Sequence, residues 1–137
     1  MRVTYWDLVL EDPLFASWHR HHEGLGSQAR GLLFRTTHAR LMVETSIVAG
    51  RELPIGCWWM PERKVLRWSD GAELRFGSAP TESHAEKFRG LRFSWIGVRR
   101  DDLPNIPVTA CLERVLRSDH GETCWIQAGY KTEENTT

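Results

Sequence analysis

A chain of 137 residues with eighteen basic and eighteen acidic side chains carries no net charge at neutral pH, which excludes a domain whose whole surface is a nucleic-acid field but leaves room for local patches. That length fits one domain, spanning 1–130 before a polar, disordered tail over 131–137, and allows folding to bury about two-thirds of the unfolded chain's surface. Cys57, Cys111 and Cys124 have no paired spacing, which argues against a zinc site or a disulfide framework.

No run approaches the ~18 apolar residues of a membrane span, and the first residues lack a signal-peptide cleavage pattern. The expected location is therefore cytoplasmic. Fifteen of the basic residues are Arg and three are Lys; the bias suits phosphate recognition, because guanidinium forks bidentately, and equally reflects genome base composition.

In chain order, Thr4–Leu10 is short, aromatic and partly β-branched and reads as a strand, against which Asp7 and Glu11 count. Asp12-Pro13 is a cap followed by proline at the first helical position. Leu14, Phe15 and Trp18 share one face of the helix that follows, about ten residues long and stopped at Gly24. After a loop to Arg30, the apolar run Gly31–Thr36 predicts a parallel strand covered on both faces. From Thr37 the spacing turns helical. Leu41, Met42, Thr45 and Val48 lie near one face, and Gly50 closes the segment where a left-handed residue is wanted.

Val65–Trp68 and Glu73–Phe76 alternate apolar and charged residues around Asp70-Gly71, which predicts an antiparallel hairpin. Leu66, Trp68, Leu74 and Phe76 face the core, and Arg67, Glu73 and Arg75 face water. A link over 81–88 leads to a strand, Leu91–Val98. Asn105-Ile-Pro107 then caps a helix carrying Val108, Cys111, Leu112, Val115 and Leu116, and Cys124–Ala128 is a last strand. The expected fold is α/β, a mainly parallel sheet flanked by helices with an added antiparallel hairpin.

Four features bear on chemistry. Asp101 and Asp102 follow an apolar strand, where a phosphate-cleaving site needs one carboxylate for hydrated magnesium and another for the attacking water; a solvated turn before Pro104 explains them equally. Arg35, ending the Gly31–Thr36 strand, is placed either to approach a phosphate or to hydrogen-bond a neighbouring loop. The histidines of His19-Arg-His-His22-Glu23 do not share a helical face, so a solvated helix end is favoured over a metal site. Trp58, Trp59 and Trp68 are favoured as core or subunit contacts over a base-stacking platform.

From about residue 29 to 118 the chain resembles the ATPase domain of a tailed-phage terminase large subunit, the motor that packages viral DNA into procapsids. Four blocks carry the resemblance: Arg30–Leu41, Trp68–Gly77, Glu86–Gly90 and Ile96–Asn105. It implies a fragment of a P-loop NTPase core, with Asp101 at the Walker B aspartate position that holds metal. Asp102 falls on the catalytic glutamate position, one methylene short. Mg2+ and ATP are the implied cofactors, and double-stranded DNA, the portal protein and the small terminase subunit the implied partners, in the host cell cytoplasm.

Arg99 and Arg100 replace the apolar end expected of the acid-bearing strand and look like an insertion. Nothing in 1–30 matches the family's Gly-Lys-Ser/Thr phosphate loop, Cys124–Gly129 does not match the Thr-Asn-Pro-like segment expected there, and the nuclease domain is missing. A prophage remnant or frame-shifted start, inactive alone, is the expectation. The alternatives are a non-enzymatic α/β module that binds a protein through its hairpin and tryptophans, and nucleic-acid binding without hydrolysis through Arg67 and Arg75.

Overall fold

The computed structural model describes residues 3–79, 93–99, 102 and the backbone of 124–128. The predictions for 81–88, for the helix after Asn105, for the tail and for Asp101 lie outside these residues.

Tyr5–Glu11 is a helix, α1, where the sequence suggested a strand. The residue that argued against a strand is what makes the helix: Asp7 accepts from the Thr4 N–H at 2.9 Å while the Thr4 hydroxyl accepts from the Asp7 N–H at 3.1 Å. This reciprocal capping box satisfies two amides that the first turn would otherwise leave bare. Helix α2, Pro13–Leu25, begins as expected at Asp12, whose carboxylate accepts from the Leu14 N–H. It runs past Gly24 and stops at Gly26, which takes the left-handed φ of 59° and opens a 3-10 turn, Gly26–Gln28.

Strand β1, Arg30–Arg35, lies at the middle of the sheet and is parallel to both neighbours. Helix α3, His38–Ala49, starts at the Thr37 cap; Gly50 closes it at φ −86°, so the helix ends without the expected left-handed residue. Strand β2, Cys57–Met60, which the sequence did not suggest, pairs antiparallel with β3, Val65–Trp68, and β3 with β4, Glu73–Ser78. The Asp70-Gly71 turn stands as predicted, with Gly71 at φ 103°.

Strand β5, Trp95–Arg99, flanks β1 on its other side, and β6, Cys124–Ala128, runs parallel to β5. The strand order is β2-β3-β4-β1-β5-β6. Its pairings are three parallel and two antiparallel, so the sheet is open and mixed, not mainly parallel. The hairpin is no appendage: β4 closes it on one side and joins the parallel half on the other, which brings two antiparallel pairings into the sheet.

One face of the sheet carries Leu33, Leu66, Leu74, Phe76 and Trp95 into a cluster with Leu8, Leu14, Phe15, Trp18, Leu41 and Val48 of the helices. Gly31 is glycine because a Cβ there would stand 2.6 Å from the Trp18 ring, so the indole of α2 rests on bare backbone. The opposite face, with Leu32, Phe34, Ile96 and Val98, is buried as well, as the unbroken apolar runs of β1 and β5 require. Among the described residues no helix is long and apolar enough to cross a membrane.

Candidate functional site

The period of two along a strand fixes which side chains share a face. Leu33 and Trp95 face the helices, and so therefore do Arg35 and Arg99, two residues further on in β1 and four in β5. The register pairs Phe34 with Val98, which makes Arg35 and Arg99 neighbours at the C-terminal ends of adjacent parallel strands. Two buried like charges side by side are costly unless an anion lies between them.

Glu44 of α3 is that anion. Its Oε1 accepts from Arg35 Nη1 at 2.9 Å and from Arg99 Nε at 2.6 Å, and its Oε2 from Arg99 Nη2 at 3.0 Å. The other side of Arg99 grips Asp12 bidentately, both bonds 2.7 Å, so the carboxylate that caps α2 also anchors β5. Arg35 turns its Nε to Asp102 Oδ2 at 2.7 Å. Asp102 further accepts from the Thr36 N–H at 3.2 Å, from the Thr36 hydroxyl at 2.5 Å and from Arg40 Nη1.

The six charged residues form one alternating row: Arg40, Asp102, Arg35, Glu44, Arg99, Asp12. Among the described residues, three cations face three anions. All but Arg40 are buried, and Arg40 keeps 42% of its side chain in water, so it is the row's outlet to the surface. Burial by itself would raise the Asp102 pKa, but the bonds from Thr36, Arg35 and Arg40 outweigh it and hold the carboxyl below the usual range. Burial would likewise strip the proton from Arg99, yet the bonds and charges of Asp12 and Glu44 raise its pKa further. Asp102 and Arg99 therefore keep their charges at neutral pH.

Its place in the fold is where open α/β sheets bind ligands. The chain leaving β1 turns through α3 toward the β4 side, and β6 lies on the far side of β5, so the strand ends at β1 and β5 flank the crevice where the order diverges. No family model, curated protein or solved structure matches this chain. The site must therefore be read from its own geometry.

Asp102, expected to orient a water, sits at this crevice. A carboxylate offers about four lone-pair sites, and four protein donors already converge on Asp102. It retains no acceptor for an attacking water, and two guanidinium groups beside it do not suit a divalent cation. Asp101, the expected magnesium ligand, lies outside the described residues, and among those described no cluster of His, Cys, Asp and Glu could hold a metal.

Arg35 takes the loop-facing alternative, since Asp102 is its partner. Arg99 has a defined place in the sheet. It is the last residue of β5, and its charge fits an apolar strand because two carboxylates meet it. Sequence reasoning passed over Glu44, whose signal was an acid on the buried face of α3 beside Leu41, Thr45 and Val48.

The histidines of this run point different ways and have ordinary partners, and His21 is buried rather than solvated. His21 Nε2 bonds Ser94 Oγ at 2.7 Å in the interior, His22 meets Asp70 at 2.9 Å, and His19 meets Glu23 at 3.5 Å. Cys57 is buried, which pushes its thiol up to about 12, so it is protonated and unreactive at neutral pH. At the opposite edge of the sheet Trp58, Trp59, Met60, Arg67 and Trp68 line an open groove of about 620 Å³.

Proposed function

We propose that the chain is an α/β domain of the terminase ATPase type in which the catalytic-acid position has become structural, so that it does not hydrolyse ATP by itself. The observation that carries this reading is the saturation of Asp102: it stands in the ligand crevice of the sheet, yet all its lone pairs are taken by Arg35, Thr36 and Arg40. The resemblance gains support from the way its blocks assemble. Arg30–Leu41 forms β1 and the start of α3, Trp68–Gly77 spans the β3–β4 turn and most of β4, and the fourth block begins in β5, while Glu86–Gly90 lies outside the described residues. β1 runs between the other two.

The sequence offers no Gly-Lys-Ser/Thr loop to cradle phosphates, and such loops supply much of a nucleotide's grip through backbone amides. Double-stranded DNA, the portal protein and the small terminase subunit are partners by this reading. Phosphate release from Mg-ATP tests it, with the expected rate at background for the parent, Asp101→Ala and Asp102→Asn alike. Turnover in the parent that Asp102→Asn abolishes would overturn it. Neighbouring reading frames encoding portal and capsid proteins would support the lineage.

A second reading, a protein-binding module, rests on one observation of its own. Trp58 leaves 54% of its surface in water on the edge strand β2, beside the groove at the hairpin.

A further inference from the structure

Several of the donors around Asp102 are positioned by groups other than Asp102. Arg35 is held from behind by Glu44, its Nη1 on Oε1 at 2.9 Å, and Glu44 is in turn held by Arg99 through two bonds. Thr36 N–H is fixed by the end of β1, and the Thr37 cap fixes the first turn of α3 that carries Arg40. Four donors from three consecutive or nearly consecutive stations, Arg35, Thr36 and Arg40, therefore converge on one point at the crevice. The carboxylate there supplies a negative charge and oxygens, and nothing more specific.

We propose that the C-terminal end of β1 is a phosphoryl-oxyanion cradle, plugged in the native chain by the Asp102 carboxylate. The proposal goes beyond the ATPase reading, since it needs neither magnesium nor hydrolysis and would stand if the terminase resemblance failed. Two features fit a phosphate better than a bare structural ion pair. A guanidinium, a backbone N–H, a hydroxyl and a second guanidinium make a donor set typical of phosphate recognition. Arg40 is also the only partly exposed member of the row, so it can swing outward and admit an anion larger than a carboxylate.

The plug sets the affinity of the native chain. An external anion binds only to the fraction of molecules in which Asp102 has left its donors, and the apparent dissociation constant rises in inverse proportion to that fraction. Asp102→Ala removes the competitor and keeps the donors. In calorimetry, inorganic phosphate is expected to bind this variant saturably, at least about tenfold tighter than the parent. Sodium chloride at matched ionic strength should give no saturable signal.

Arg40→Ala in the Asp102→Ala background deletes one charge-assisted donor at a position that tolerates truncation, and should weaken phosphate binding about tenfold or more. AMP and metal-free ATP separate the sources: a cradle for a nucleotide's phosphoryl group binds ATP more tightly than phosphate, and a free-phosphate cradle does not. A folded Asp102→Ala protein that shows no saturation, or the same response to chloride, or no loss with Arg40→Ala, overturns the proposal. If Asp102→Ala is unfolded, phosphate is titrated to about 0.1 M and the near-ultraviolet signal of the tryptophans is followed, because a ligand of the folded state alone must drive refolding. Recovery supports the cradle, and failure to recover overturns it. Neither outcome depends on whether the parent turns over ATP.

Discussion

Between β1 and β5 the structure buries charge and leaves none of it unanswered, whereas at β2 and β3 it exposes large aromatic surface with no partner on part of it. Arg99 and Glu44 are inaccessible to solvent and linked by bonds of 2.6 and 3.0 Å; Trp58, an apolar residue, stands half in water. Residue type alone would have assigned them the other way round. What decides is topology: β1 and β5 are covered on both faces and their ends meet two helices, while β2, among the described residues, is an edge strand with a neighbour on one side only.

The contrast implies that the two regions respond to mutation on different scales. A buried ion pair adds little to stability compared with well-packed apolar side chains, but breaking it from one side strands a charge in low dielectric. Arg99→Met takes from Asp12 the guanidinium that grips it bidentately and leaves Glu44 sharing Arg35 with Asp102. The expected loss is about 3–5 kcal/mol, read from the midpoint of urea unfolding. A loss under 1 kcal/mol would mean that water reaches the row and that the two regions are less different than their burial indicates.

How much of this was legible beforehand follows the same division. The strands β1, β3, β4, β5 and β6 and the helices α2 and α3 announce themselves by periodicity and caps, because those signals are local. Thr4–Leu10 misled because its aromatic and β-branched content competes with a capping box, Thr4 with Asp7. β2 was invisible because Cys-Trp-Trp-Met has no alternation to read; its edge position lets one indole face outward and the next inward. The row of charges is the clearest case. Arg35, Glu44, Arg99 and Asp12 are up to 87 positions apart, and only the parallel register of β1 and β5 brings the two arginines together. Asp102 was singled out, but for acceptor capacity that Arg35, Thr36 and Arg40 consume.

Acid sharpens the comparison, because Asp102 titrates in the buried row and the indoles of the aromatic edge do not. The folded pKa of Asp102 is depressed, so the stability it contributes is fully present above the unfolded carboxyl value of about 3.9 and is lost as pH falls through the lower folded value. Asp7 and Asp70 are depressed too, the first chiefly by its bond from the Thr4 backbone. For Asp70, burial pushes upward but the bonds from Ala72 and His22 prevail. The parent's acid limb therefore sums several groups. Asp102→Asn isolates one of them: its unfolding midpoint starts lower at pH 7 and falls less steeply toward pH 3. Parallel acid limbs in parent and variant would show that Asp102 is not ionised against its arginines.

The smallest effect is expected at the exposed edge, and it bears on whether that edge is a surface or part of the core. Trp58 and Trp59 are consecutive in β2, so they point to opposite faces. Trp58 lies opposite Arg67, itself exposed, and Trp59 opposite the buried Leu66. Trp59 also meets Phe76 edge-to-face, centroids 5.4 Å apart at 86°, a geometry that adds about 0.5–1.5 kcal/mol beyond area alone. Trp58→Ser should then change stability by no more than about 0.5 kcal/mol, as surface changes usually do, while Trp59→Ser costs several times that. Equal losses would place Trp58 in the packing of the sheet and remove the observation on which a protein-binding role for this edge rests. A silent Trp58→Ser would leave the indole free to serve something other than the fold.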